Sequence, residues 1–339
     1  MTEEELRPTT EKAVIIGAGP CGLSAALELQ KVGIEPLLIE KNAVVHSIYQ
    51  YPTYLQFFST AELLEIGGIP FTSVNEKPSR REALQYYRDV ALRSNLRIRA
   101  YETATAIVPI EGGSFRVETV DRFGRTASVT ARNVIVATGY FDHPNMLGIP
   151  GEQLPKVSHF FQEAHPYTGM KIAIIGGNNS AVDAAMELLR VGADITVVYR
   201  GEDYSPSIKP WVRPLFEGNV NRGKIRMIFS SRIVRIDAES VTVQPNEANS
   251  EPYTIDNDFV LAMTGFRPER TLLTDAGAIV DADTTVPSFN PATMETNVPG
   301  LFIAGVIAAG REANEIFIES GRHHGTLIAK RIAEVNAIT

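Results

Sequence analysis

The one cysteine of the chain, Cys21, stands inside the glycine-rich stretch IIGAGPCGLSAA, residues 15–26. Two chemistries suit a thiol in that place. At the first turn of a helix, backbone N–H groups favour the thiolate and so a nucleophilic or redox role. Packed into a tight turn, the same thiol is an inert small residue. An anionic group bound at that helix end opposes ionisation and pushes the thiol's pKa back up. A single cysteine closes no intramolecular disulfide and builds no cysteine zinc site. If Cys21 attacks a disulfide, a second thiol or another reductant from outside must resolve the mixed disulfide.

The elements around Cys21 define what it sits in. AVIIGAG, 13–19, is an apolar run suited to a strand buried on both faces of a parallel sheet. GLSAALELQKVG continues with helical periodicity, and IEPLLIEK reads as a second strand containing Glu40 and Lys41. In this strand–turn–helix–strand unit Gly17 makes the tight turn, Gly19 lets backbone approach a pyrophosphate, and Gly22 lets helix and strand pack closely. Pro20 and Cys21 fill the turn, and Glu40 is placed to bind ribose hydroxyls. The combination predicts a dinucleotide site.

The pattern returns in KIAIIGGNNSAVDAAMELLRVGADITVVYR, 171–200. Its turn is Gly176, Gly177, Asn178, Asn179, Ser180 and Ala181, with a helix expected from Ala181. The strand-end acid is missing, and Tyr199 and Arg200 occupy that place. An arginine there suits a 2′-phosphate and so NADPH over NADH; otherwise it is a solvated strand-end charge.

Three further strands end in glycine. They are RNVIVATGY with Ala137, Thr138 and Gly139, DFVLAMTGFRPE with Gly265, and VPGLFIAGVIAAG with Gly305. The last is followed by an expected single helix in NEIFIESGRHHGTLIAKRIAEV. That strand and helix have no fold of their own and most simply complete the first domain. The fold class expected is α/β, with two Rossmann-like three-layer domains and the second inserted into the first. The boundaries are 11–148 with 285–339, and 149–284. GIPGEQLPK and TTVPSFNPATM, rich in proline and glycine, are the expected crossings. The spans 112–131 and 224–256 read as β-rich excursions, each belonging to one fold.

Over roughly 11–337 the chain resembles the two-dinucleotide flavoproteins that include thioredoxin reductases. Within them it is most similar to the bacillithiol disulfide reductases (bacilliredoxin reductases), through GAGPCG, HSIYQYPTYLQFFST, IIGGNNSAVDAA, SIKPWVRP and IAGVIAAG. The resemblance implies FAD on the first domain and NADPH on the inserted one. For FAD it implies Gly17, Gly19, Pro20, Cys21, Gly22, Glu40, Lys41, Ala104, Ala137, Thr138, Gly139 and Gly305. It also brings Tyr51 and Phe58 of the aromatic stretch 46–60 near the flavin ring, with Ser59 and Thr60 as hydrogen-bond donors. A helix around Asn314–Gly321 would aim its N-terminus at the flavin through the backbone of Glu315 and Ile316. For NADPH it implies Gly176, Gly177, Asn178, Asn179, Ser180, Ala181, Tyr199, Arg200, Lys209 and Gly265. Lys209 and Arg213 of SIKPWVRP read equally as phosphate ligands or surface charges. Two departures stand out. The Cys-x-x-Cys pair of thioredoxin reductases is missing, which removes an internal dithiol relay. Val306 replaces the aspartate that usually follows this glycine and binds the FAD ribityl chain.

The composition narrows the partners. The 339-residue chain carries a net charge of -8, which offers nucleic acid and anionic membranes no electrostatic attraction. No apolar run reaches the ~18 residues of a membrane span, and MTEEELRPTTEK is not a signal peptide. A cytoplasmic protein is expected. His323 and His324 are adjacent and read as surface or core histidines, and no metal site is expected. The function expected is an NADPH- and FAD-dependent reductase of a small bacillithiol-type disulfide or of a small redoxin protein carrying that thiol, working as a homodimer or larger homo-oligomer. The alternatives are a ferredoxin- or flavodoxin-NADP reductase, a flavin monooxygenase, and a non-enzymatic flavin-bound sensor. The monooxygenase pattern Phe-x-Gly-x-x-x-His before the second fingerprint is absent, since Gln153 and Pro155 occupy its places before His159.

Overall fold

A computed structural model describes residues 10–311 and 315–338. The chain forms two compact units. The first opens with β1 (Glu11–Ile16), whose residues from Ala13 onward are buried. Burial of side chains such as Val14 and Ile15 is worth about 1.5–3 kcal/mol each. The chain turns through glycines into α1 (Pro20–Lys31). Pro20 costs nothing at the first helical position, where its missing N–H would have had no partner. β2 (Leu37–Glu40), fully buried, pairs parallel with β1. Two short helices follow, α2 (His46–Gln50) and α3 (Ala61–Leu64), then α4 (Arg80–Arg93). A capping box fixes the start of α4, with the Ser79 N–H donating to Glu82 at 2.8 Å. β3 (Arg97–Ala100) adds parallel to β2. β4 (Glu102–Ile110), β5 (Ser114–Asp121) and β6 (Thr126–Val136) form an antiparallel meander, and the end of β6 returns parallel to β1.

The second unit spans 144–265 and includes Gln50–Thr53. Its parallel sheet is built from β7 (Val157–Ser158), β8 (Lys171–Ile175), β9 (Asp194–Val198), β10 (Arg226–Ile228) and β14 (Phe259–Ala262), in the order β10-β9-β8-β14-β7. α5 (Asn179–Arg190) and α6 (Arg213–Asn221) supply its helices. β11 (Ser231–Ile236), β12 (Ser240–Pro245) and β13 (Tyr253–Asp256) make a separate antiparallel sheet, which is the expected second β-rich excursion. The chain then re-enters the first unit with α7 (Thr271–Asp275), β15 (Leu301–Ile303), α8 (Ile318–Gly321) and α9 (His324–Ile338). β15 pairs parallel with β6 and α9 packs on α1, so the late strand and helix do complete the first fold. Gly325 permits that packing, because a Cβ there would lie 2.6 Å from the Ala25 Cα.

Two expectations are corrected. The crossings fall at 143/144 and 265/266, not near 149 and 285. Thr264 and Gly265 bond back to Asn145, with the Asn145 N–H donating to the Gly265 carbonyl at 2.9 Å and the Thr264 hydroxyl to the Asn145 carbonyl at 2.7 Å. TTVPSFNPATM instead turns within the first unit, where Val280 bridges Pro287 and Phe289 bridges Thr296. The terminal helix is also broken at Arg322–His323. There the Arg322 guanidinium donates to the Glu62 and Glu65 carbonyls, and the Arg322 carbonyl accepts from the Ser24 hydroxyl, which draws the chain out of one continuous helix.

Candidate functional site: two dinucleotide turns and one buried thiol

The first turn is closed inward and open outward. Gly17 has φ +107°, and a Cβ there would meet the Ala137 carbonyl oxygen at 2.5 Å. At Gly22 it would meet the Gly17 carbonyl oxygen at 2.0 Å. At Gly19 nothing among the described residues lies within 4 Å of a Cβ position, so backbone faces space where a pyrophosphate can approach. Glu40 is buried, accepting from the Ala18 and Asn42 N–H groups at 2.8 Å each, which fixes its carboxylate at the strand end with lone pairs to spare. The Thr138 hydroxyl is buried and has no hydrogen-bond partner among the described residues. Such a group costs about 1–3 kcal/mol unless a bound polar molecule satisfies it. These features fit a bound dinucleotide. Gly22→Ala is expected to cost about 3 kcal/mol in stability through overpacking. Gly19→Ala is expected to leave the melting temperature of the cofactor-free protein unchanged while weakening FAD binding, and thermal melts with flavin fluorescence separate the two.

Other expected FAD residues divide. Ala137 and Gly139, with φ +72°, flank Thr138 beside the Gly17 turn. Ala104 lies at a bulge in β4. The Lys41 ammonium is held by Asp142 at 3.0 Å. Ser59 donates to the Glu319 carboxylate at 2.7 Å, and Thr60 is the residue before α3. Phe58 is 47% exposed. Tyr51 is half-buried and groups with the second unit, where the Thr53 N–H donates to the Gln162 carbonyl and the Thr53 hydroxyl to Glu163 at 2.6 Å. The aromatic stretch is therefore divided between units. Asn314 lies outside the described residues. Glu315 and Ile316 precede α8, a four-residue helix too short to aim a macrodipole.

Cys21 packs between two glycines. A Cβ at Gly305 or at Gly321 would lie 2.8 Å from its sulfur, so both residues are glycine-sized because the thiol fills the space between them. Burial pushes the thiol up to about 12. At that value the thiol holds its proton at neutral pH. Beside it, the Gly305 N–H donates to Nδ1 of His324 at 3.0 Å, a partner the sequence did not single out.

The second turn repeats the design. Gly176 has φ +133°, and a Cβ there would meet the Met263 carbonyl oxygen at 2.4 Å. Gly177 lies under the Tyr199 ring, 2.5 Å from where its Cβ would stand. Asn178 precedes α5, and Asn179, Ser180 and Ala181 form its first turn, so the helix starts earlier than expected. Asn179 clamps the neighbouring loop, donating to the Ser207 carbonyl at 2.8 Å and accepting from the Lys209 N–H at 3.0 Å. Lys209 is thereby fixed beside the fingerprint, whereas Arg213 is bound to Glu217. Arg200 is exposed, its carbonyl accepting from Asn246 at 3.1 Å, and its guanidinium has no ion pair among the described residues. Gly265 has φ +83° at the return crossing. No helix of the described residues is long and apolar enough to cross a membrane, and none of their His, Cys, Asp and Glu clusters could hold a metal.

Comparison with known proteins agrees with two nucleotide turns on one chain. Residues 14–305 match the pyridine nucleotide-disulphide oxidoreductase family. The bacilliredoxin reductase Bdr of Bacillus subtilis (strain 168) is 52% identical over 324 residues, covering 96% of this chain and 98% of that protein. The structure of bacillithiol disulfide reductase Bdr from Bacillus cereus superposes with a TM-score of 0.93 at 49% identity, covering 96% of this chain and 100% of that one. The Staphylococcus aureus enzyme of the same name gives 0.90 at 44% identity, covering 96% and 99%. The chain belongs to the bacillithiol disulfide reductase family, within the thioredoxin-reductase-like flavoproteins, and is an FAD-dependent NADPH oxidoreductase without a disulfide-forming cysteine pair.

Proposed function

We propose that the protein reduces a low-molecular-weight thiol disulfide of the bacillithiol type, or a small redoxin carrying that thiol, at the expense of NADPH. The observation that carries this reading is the pairing of two dinucleotide turns with a single cysteine, which leaves the chain no dithiol of its own. The balance is NADPH plus a proton plus one disulfide giving NADP⁺ and two thiols. Bound FAD supplies the two-electron relay between the nicotinamide and the disulfide. The chain's own residues hold the reactants. Gly19 and the start of α1 face the FAD pyrophosphate, and Glu40 orients the ribose. Asn178 and the first turn of α5 face the NADPH pyrophosphate, and Arg200 takes the 2′-phosphate. Both sulfur atoms that end as thiols come from the substrate.

Cys21 joins that chemistry only where its proton is lost, and its seat between Gly305 and Gly321 opposes this in the resting protein. The first unit is the FAD unit and the second the NADPH unit in this reading. A homodimer or larger assembly accompanies it, as in the wider family, and light scattering reads the mass. The activity test is NADPH oxidation with a panel of disulfides, ferredoxin and oxygen. Turnover is expected with bacillithiol disulfide or its mixed disulfide with a redoxin. Oxidation driven by oxygen or ferredoxin alone would overturn the proposal.

A further inference from the structure

We propose that His324 is the positioning residue of the GVIAAG turn: its neutral imidazole holds Gly305 in place, closing the pocket around the Cys21 sulfur and fixing the surface that the turn presents to FAD. The turn (Gly305–Ala308 with Ala309) lacks the acidic side chain that could tie it to a bound flavin, because Val306 stands there. It is held from behind at both ends. The Gly305 N–H donates to His324 Nδ1 at 3.0 Å, and the Arg270 guanidinium donates to the Ala309 carbonyl. Gly305 has φ +80°, which its lack of a side chain permits, and it is also one wall of the sulfur pocket. One hydrogen bond therefore governs two surfaces.

The bond also fixes the tautomer. Nδ1 accepts, so Nε2 carries the ring proton. A second proton would have to enter at Nδ1, where the Gly305 N–H already points, and the imidazolium would release that N–H. Burial first, then His323, holds the His324 pKa below its usual 6.5. The neighbouring His323 opposes a charge there, the Arg322 guanidinium bonded to the Glu62 and Glu65 carbonyls is itself cationic, and the Glu319 carboxylate is directed at the Ser59 hydroxyl. Folding of this corner is correspondingly favoured by the neutral ring, and its support falls away as pH drops below 6.5.

The FAD half of this inference rests on the reading that the Gly305 turn contacts FAD; the Cys21 half does not. The test uses the FAD-loaded protein with His324→Leu, which removes the acceptor, and His324→Asn, whose Oδ1 replaces Nδ1 without titrating. Native alkylation of Cys21 by iodoacetamide and FAD release are measured. His324→Leu is expected to speed alkylation and weaken FAD binding, each by about tenfold, the worth of one hydrogen bond. His324→Asn is expected to stay near wild type in both at neutral pH. Wild type is expected to lose FAD affinity below pH 6.5, and His324→Asn to show no such break. Wild-type alkylation and FAD affinity in His324→Leu would overturn the inference. Gly305→Ala, read with a thermal melt that sets aside any loss caused by its methyl meeting the Cys21 sulfur, tells the two failures apart. If it loses FAD while His324→Leu is silent, only the inference fails. If it keeps FAD, the Gly305 contact itself is wrong and the FAD half falls with it.

Discussion

Native protein is expected to react with iodoacetamide about 1,000-fold more slowly at Cys21 than the same protein unfolded in guanidinium. The thiol is raised from 9.0 to about 12, and the attacking species is the thiolate, so a shift of that size lowers its population about 1,000-fold at neutral pH. Packing between Gly305 and Gly321 lowers access further. The rate should climb with pH through 9 and 10 without a plateau, since the plateau belongs above the folded pKa. A plateau near 7 would instead reveal a thiolate stabilised by the helix. The same shift has a stability consequence. A raised thiol pKa favours the folded state fully below 9, and that contribution is lost as pH rises toward 12. Alkaline melts of wild type and Cys21→Ala compare it directly.

Arg200→Ala is expected to raise KM for NADPH by about 10- to 100-fold, the range for losing charge-assisted hydrogen bonds to a phosphate. KM for NADH should hardly move, because NADH has no 2′-phosphate to lose. Arg200 is exposed at the end of β9, its backbone anchored by Asn246, with no ion pair among the described residues. The Tyr199 ring beside it packs between Gly177 and Gly201, which fixes the strand end against the turn. Equal loss with both nucleotides would place Arg200 in folding of the turn and not in selection of the phosphate.

The sequence was most informative where geometry is dictated by backbone. Gly17, Gly22 and Gly176 are required by carbonyl oxygens less than 3 Å from any Cβ, and that requirement is visible as glycine at fixed spacing. The apolar runs of β1, β2 and β8 mark buried parallel strands for the same reason. Tertiary contacts were not legible. Arg322 breaks the last helix by bonding carbonyls some 260 residues away in sequence, and no local propensity encodes that. The return crossing lies at Gly265 because Asn145 bonds to it, while a proline-rich loop further on looks more like a linker. Cys21 carried a local signal, a helix N-terminus, but its burial comes from glycines far away in sequence. His324 carried a signal only as one of two adjacent histidines, and its role depends on Gly305 across the fold.

The central claim is that NADPH electrons reach a disulfide in this protein without any protein dithiol. Anaerobic titration of the FAD-loaded protein with NADPH, followed by bacillithiol disulfide, tests it most directly through flavin absorbance. One NADPH per FAD should bleach the flavin completely, and one equivalent of disulfide should restore it. A requirement for two NADPH per FAD, or a bleached flavin that the disulfide leaves unchanged, would contradict the account.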